Sequence, residues 1–294
     1  MRLIQDLFAS LFRSLNSRLL YTDNPLLHKP LKLVYGLSAW CYRMKFGRKK
    51  SAGRVTLNNF DGSGRLIIDP KGSMGASLYW TGFHELHELL FLHKFLKPGM
   101  VVADAGANMG MFTVFAARRV KNGKVIAFEP VPSVFKRLQD NVMINDLKNV
   151  IALQTGLSNT TGVLPIYEIE GDNEGLSTLY PGSLQQSRVT EVEVKPLDLI
   201  LEKQGIDRMD LIKMDIEGGE LSALRGSIQT IRKFRPAILI EINISSYASA
   251  GYKPADVYDF FRNENYLPHR ISKSGSLVRE TNPSDFNNIV FLPL

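Results

Sequence analysis

The densest chemistry in this sequence is a lysine set between carboxylates. In Asp210-Leu-Ile-Lys213-Met-Asp215-Ile-Glu217-Gly218, Lys213 and Asp215 stand two residues apart, so on a strand they share one face, and Glu217 follows after two more. A hydroxyl that is to act as a nucleophile must lose its proton, which calls for a general base or a metal ion. Asp215 is the first candidate for either role, with Lys213 placed to keep it ionised or to orient an acceptor. Glu241 and Asn243 close a later apolar run, and with Asp215 they resemble an oxygen-ligand set for Mg²⁺, although three scattered oxygens alone do not support a metal. These residues also have structural readings: Lys213 with Asp215 as an ion pair, Glu217 as a carboxylate facing a helix dipole.

A second constellation lies upstream, in Asp104-Ala-Gly106-Ala-Asn108-Met-Gly110 and in Glu129-Pro130, which follows Asp104 by twenty-five positions. Small residues at such a turn let backbone approach a ligand, and the helix that follows offers free N–H groups. A carboxylate at Glu129 can accept both hydroxyls of a ribose. A dinucleotide site would need Gly-x-Gly-x-x-Gly to hold a pyrophosphate, whereas here Asp104 would repel a phosphate. A carboxylate at that turn suits a cationic amine or sulfonium, and S-adenosylmethionine carries both. The expectation is Glu129 on the ribose, Asp104 with the Gly106 to Gly110 turn around the methionine end, and Gly156-Leu157-Ser158 bracketing the adenine.

These residues need a frame. Short apolar runs at Met100–Ala103, Val125–Phe128, Val150–Leu153, Leu211–Met214 and Ala237–Ile242 read as buried parallel strands. Helical spacing separates them, from Met111 to Val120, from Val134 to Ile144 and from Glu220 to Ile231. A helix over Ala255–Phe261 and a last strand at Ile289–Leu292 complete the chain. Alternation in this order predicts an α/β fold with a doubly wound, mostly parallel sheet, whose ligand sits past the carboxyl ends of the strands. Val163–Ile169 and Val189–Val194 alternate as strands, and the polar segment between them is expected to form a lid or acceptor loop. Ser51 to Gly82 reads as a small hairpin leading into the core. Phe83 to Leu96 reads as a helix, with His84, Glu85, His87, Glu88 and His93 on a solvated face, since the His-Glu-x-x-His pattern of a zinc site is absent.

The run Asp104 to Gly110, Phe128-Glu129-Pro130, Leu138-Gln-Asp-Asn141-Val-Met-Ile-Asn145 and Asp210 to Gly218 together resemble the FkbM family of S-adenosylmethionine-dependent methyltransferases, in the family's order, from about Gly82 to Ile242. The resemblance implies a Rossmann-like, class I methyltransferase-like fold, with the Phe83 to Leu96 helix as one wall over the cofactor. It implies cofactor contacts at Asp104, Gly106, Asn108, Gly110, Glu129, Pro130 and Leu157, and O-methylation of a sugar or glycan hydroxyl with Asp215, Lys213 and Glu217 as the catalytic candidates. The competing classes are a nicotinamide-dependent oxidoreductase, for which both the glycine pattern and a Tyr-x-x-x-Lys pair are missing, and a non-catalytic adenosyl-binding scaffold.

Composition bounds the remainder. At 294 residues and 44% hydrophobic the chain can bury a sizeable core, and its single cysteine, Cys41, excludes an internal disulfide framework. Charged residues interrupt the first apolar run, so neither a signal peptide nor a membrane span is expected and the reading is cytoplasmic. Ten Lys or Arg against two Asp fall in residues 1–50, so the net +7 belongs to an N-terminal extension and no general nucleic-acid footprint is implied. The expected organisation is a basic amphipathic helical extension (1–50), a small β-rich lead-in (51–81) and the catalytic domain (82–294). Leu3 to Leu20 and Leu31 to Phe46 carry apolar residues at helical spacing with basic ones between them. They suit either peripheral contact with an anionic membrane or packing on the core or a second subunit. Nothing in the sequence identifies the oligomeric state.

Overall fold

A computed structural model describes residues 2–22, 25–44, 53–169, 177–180, 187–281 and 286–294. Its centre is the strand-helix-strand unit expected from the sequence: β3 (Val101–Ala105), α5 (Met111–Val120) and β4 (Lys124–Phe128). Every residue of β3 is buried, as a strand covered on both faces requires. Helix α6 (Pro132–Ile144) starts on a proline, whose fixed φ and missing N–H suit a first turn, and leads to β5 (Val150–Leu153). Beyond it lie α7 (Leu197–Lys203), β10 (Leu211–Met214), the short α8 (Glu220–Arg225) and α9 (Ile228–Phe234), and β11 (Ala237–Asn243). Helices α10 (Ile244–Ser249) and α11 (Pro254–Asn263) precede strands β12 (Tyr266–Ile271), β13 (Leu277–Arg279) and β14 (Phe286–Pro293).

These strands form one eight-stranded sheet in the order β13-β12-β14-β11-β10-β3-β4-β5. The five strands from β11 to β5 are parallel, and the three at the other edge are antiparallel. The doubly wound, mostly parallel sheet is therefore present. Strand order reverses beside β3, so the carboxyl ends of β3 and β10 flank the crevice where such sheets bind ligands. β12 and β13 are absent from the sequence reading because Pro268, His269 and Arg270 break the alternation that marks a strand.

A second sheet, in the order β6-β9-β7-β8, joins β6 (Gly156–Leu157), β7 (Gly162–Ile169), β8 (Ser177–Thr178) and β9 (Ser187–Lys195). Its Ile166, Val192 and Val194 pack with Val131 and Val134 of the β4–α6 connection. Of the expected lid segment, Ser177 to Tyr180 are described; residues 170–176 and 181–186 lie outside the described residues.

The N-terminal third departs further from expectation. The hairpin β1 (Val55–Phe60) with β2 (Gly64–Ile68) is followed by a helix, α3 (Ser73–Thr81), and not by more hairpin. Six of its nine residues are buried, so it lacks the polar face that gives a helix its sequence period. The chain then turns at Gly82 (φ +83°) and Glu85 (φ +56°), and α4 spans Leu86–Phe95. Before the hairpin, α1 (Arg2–Asn16), a 3₁₀ turn over Ser17–Leu20 and α2 (Pro25–Arg43) lie against α3. The segment Lys45 to Lys50 with Phe46, and the side chain of Tyr42, lie outside the described residues. No helix among the described residues is long and apolar enough to cross a membrane.

Candidate active site

Parallel register places the key residues. Lys213 of β10 lies opposite Asp104 of β3, which brings the two side chains together beneath the crevice. Beyond β3 the chain turns through Gly106 (φ +76°), Asn108 (φ +50°) and Gly110 (φ +88°). The turn is tied to the end of β4, because Gly106 N–H and Ala107 N–H both donate to Phe128 O, at 3.1 and 2.9 Å. Gly106 is needed for contact as well as for its φ. A Cβ there would lie 1.9 Å from the Asp215 carbonyl oxygen. The loops after β3 and β10 thus touch at a point where only hydrogen fits.

Glu129 follows β4 with its side chain 6% exposed. Its Oε2 accepts from Asn108 N–H at 2.9 Å and its Oε1 from Val131 N–H at 3.0 Å. An ionised carboxylate has about four acceptor sites, so one lone pair on each oxygen remains for a ligand. Burial raises the Glu129 carboxyl to about 7, against the opposing pull of the two backbone bonds. Around it, one cavity is lined by Gly106, Asn108, Glu129, Pro130 and Leu157, with apolar walls from Phe128, Ile166 and Val192. Asp104 and Gly110 do not line this cavity. Asp104 is fully buried behind its wall, where its Oδ2 accepts from the Thr113 hydroxyl at 2.5 Å and its Oδ1 stands 3.8 Å from Lys213 Nζ. Gly110 caps α5, and a Cβ there would strike Leu138.

The other end of the same cavity is acidic: Glu85, Asp215, Glu217 and Glu241, with Lys213 and His84. Lys213 Nζ donates to Asp215 Oδ2 at 3.2 Å and to Gly106 O at 3.3 Å. Burial would strip its proton, but Asp215, Asp104 and Glu85 outweigh that and hold the ammonium charged. Asp215 is the mirror case. Burial favours its neutral form, while Lys213 and a hydrogen bond with Glu241 keep it ionised. Glu241 is pushed well above the usual carboxylate range by burial and by the charges of Asp215 and Glu217, so it holds a proton beside the Asp215 carboxylate. Single oxygens of Asp215, Glu217 and Glu241 lie within 4.8 Å of one another, close enough to share a divalent cation. Asn243, expected to join them, instead caps α10, its Oδ1 accepting from Ser245 N–H and Ser246 N–H.

Two groups of residues were not foreseen. His84 and Glu85 line the cavity, which corrects the solvated face read from their spacing and agrees with the wall the resemblance implies: the helix begins at Leu86, and the turn before it aims them inward. Burial holds His84 below its usual pKa, and burial with the nearby Asp215 charge raises Glu85. Glu220 was passed over as an ordinary helix residue. It is 1% exposed, and its two oxygens accept from Ile216 N–H at 3.0 Å and Gly218 N–H at 2.9 Å, fixing the loop that carries Asp215 and Glu217. Burial raises its carboxyl to about 7. A carboxylate three residues beyond Glu217, just inside a helix start, was the available signal.

A model of the Methyltransferase FkbM domain matches residues 104–268, more than half of the chain. The chain belongs to the FkbM methyltransferase family. Methyltransferase sdnD of Sordaria araneosa is 35% identical over 160 residues, covering 45% of this chain and 61% of that protein. The 2-O-methyltransferase NoeI of Sinorhizobium fredii is 24% identical over 152 residues, covering 47% and 62%. The hexuronic acid methyltransferase AglP of Haloferax volcanii is 27% identical over 161 residues, covering 53% and 59%. The chain thus spans about three-fifths of the length of these relatives. The FkbM match begins at Asp104 and takes in both the Glu129 and the Asp215 ends of the cavity; His84 and Glu85 lie before it.

Proposed function

We propose that this chain transfers a methyl group from S-adenosylmethionine to a hydroxyl of a sugar or glycan. The observation that carries the reading is a single cavity with Glu129 in an apolar slot at one end and the acid cluster around Asp215 at the other. The residues present fit an adenosyl sulfonium: Glu129 keeps free acceptor sites, and Leu157, Ile166 and Val192 offer apolar surface for a base. They do not fit a dinucleotide. Among the described lining residues the cations are Lys213, already engaged by carboxylates, and His84, which burial holds neutral at pH 7, so a pyrophosphate would meet no free charge.

When bound, S-adenosylmethionine would supply the methyl group on an electrophilic sulfonium. The chain must hold the acceptor in line and take its proton. Asp215 is the acceptor of that proton: it is ionised and lines the cavity, and the protonated Glu241 beside it keeps a second negative charge from forming. Lys213 positions Asp215, and Glu217, with its Oε2 bonded to Ser246 Oγ at 3.0 Å, helps to seat the acceptor's other hydroxyls. The sugar assignment draws support from the names of NoeI and AglP and from the density of acceptors at this end of the cavity. His84, held neutral by burial in the same cavity, is the second candidate for the base.

Radiolabelled methyl transfer onto a panel of glycans and uronic acids, paired with calorimetry for S-adenosylmethionine, tests this. Asp215→Asn should keep cofactor affinity and lose about 10²-fold or more in turnover. If His84→Gln shows that loss and Asp215→Asn does not, the base is His84. Turnover that survives exhaustive chelation would remove the cation option, and cofactor binding with no methylated glycan would overturn the sugar reading.

A further inference from the structure

We propose that the N-terminal helix pair is a docking face for an anionic lipid surface. Helix α1 leaves more apolar surface outside than a helix whose only task is to cover a core. Its buried side holds Ala9, Arg13 and Asn16, with Phe12 partly buried, whereas Leu7, Phe8 and Leu11 are 71%, 53% and 52% exposed. Arg13 and Asn16 are both engaged through their N–H groups. Arg13 Nη1 donates to Tyr79 O at 2.5 Å and its Nε to Asn59 Oδ1 at 3.0 Å. Asn16 Nδ2 donates to Thr81 O at 2.8 Å and to Ser38 Oγ at 2.9 Å. These bonds pin α1 to α3 and α2 and set its orientation, so the apolar stripe outside is built in.

Helix α2 repeats the arrangement. Leu31 and Ser38 face inward, while Leu33, Leu37 and Trp40 are 67%, 50% and 52% exposed at helical spacing. Of the fourteen large apolar side chains exposed among the described residues, eight lie before residue 45, so the apolar surface is concentrated on this extension. Monomeric proteins seldom leave such a concentration without a partner. The charge around it names the partner. Pro25–Arg43 contains no acidic residue, Lys29 is exposed one turn before Leu33, and Lys32 is exposed at the edge of the same stripe. The same two lysines edge a cleft that is also lined by Lys94 of α4 and by Lys97 just beyond it. Apolar side chains that can enter an interface, rimmed by cations that can meet headgroups, are the requirements of peripheral binding to anionic lipid. A second copy of this chain would bring two basic faces together and is disfavoured by repulsion.

The test uses the full chain with vesicles of phosphatidylcholine alone and with phosphatidylserine added, at low and high salt. Co-sedimentation is expected with the anionic vesicles and should weaken with salt. Trp40 emission should shift to the blue on binding; Trp80, 6% exposed, will not respond, and Trp40→Phe should abolish the change. Replacing Lys29 and Lys32 by Gln should weaken partitioning about fivefold for each lysine, and replacing Leu33 and Leu37 by Ser should weaken it further. All four positions are exposed, so folding should persist, and cofactor affinity should be unchanged in every variant. Binding that is absent, or indifferent to lipid charge and salt, would overturn the proposal. So would light scattering that shows a dimer which the leucine variants dissolve.

Discussion

Glu129 and Asp215 have opposite electrostatic settings: the first is buried, the second half-buried. Asp215 faces the Lys213 ammonium and stays charged, whereas Glu129 has only backbone N–H donors to offset burial and sits at about 7. If ribose hydroxyls need an ionised acceptor, cofactor affinity should rise with pH as Glu129 deprotonates. It should be smallest below pH 7 and level above it. Glu129→Gln should lose this dependence and, above pH 7, weaken binding by about 1–3 kcal/mol, because the amide offers fewer acceptor sites. Calorimetry across pH 6 to 8.5 on both proteins checks it; an unchanged affinity in the folded variant would remove the ribose role. Glu129, Lys213 and Asp215 were legible as cavity residues because each stands at or beside the end of an apolar strand, whereas Asp104, expected at the cofactor, lies behind the wall. His84 and Glu85 were not, since their inward aim comes from a positive φ at Glu85 that no sequence period encodes.

At the scale of elements, the site depends on two loops meeting. The β3–α5 turn and the β10–α8 loop touch between Gly106 and Asp215, while Glu220 holds the second loop from below. Gly106→Ala would put a methyl group into the Asp215 carbonyl and a side chain at φ +76°. The conformational cost alone is about 1–3 kcal/mol, and the clash adds to it. Denaturant melts should show a lower midpoint with unchanged slope, together with impaired cofactor binding, and a wild-type midpoint would argue against the contact. The Asn141 to Asn145 motif explains itself at this scale too. Asn141 Oδ1 accepts from Ile67 N–H at 2.6 Å, its Nδ2 donates to Met109 O at 2.8 Å, and Asn145 pairs with both backbone groups of Arg65. Helix α6 thus clips the β1–β2 hairpin to the turn after β3, a long-range pairing that spacing alone did not reveal.

For the whole molecule, several carboxyls with raised pKa leave a signature in stability. Glu129 and Glu220 sit at about 7, and Glu85, Glu217 and Glu241 are also raised; an unfolded Glu titrates near 4.3. Between these values the folded chain binds more protons than the unfolded one. The stability these groups contribute is fully present below about pH 4.3 and is lost as pH rises through 7. Asp215 is shifted the other way, and its contribution is complete once pH is above the unfolded value. Guanidinium midpoints for the cofactor-free protein should therefore fall from pH 5.5 to pH 8, and a flat or rising trend would contradict the burial of this cluster.

By itself the sequence determined the parallel core strands, the helices between most of them, and the place of Glu129 and Asp215 in the turns at the strand ends that line the cavity. Those features are written in local periodicity and in the residue types that strand ends and tight turns require. The tertiary structure decided what meets what. It put Asp104 behind the cavity wall as a partner for Lys213 and Thr113, turned His84 and Glu85 inward, made Glu220 the staple of the loop that carries Asp215, and faced Leu7, Leu11, Leu33 and Leu37 outward. Each outcome depends on packing between segments far apart in the chain. An amphipathic pattern defines two faces of a helix, but which face is buried depends on the partners that long-range folding supplies, as Arg13 and Asn16 show by finding carbonyls on α3.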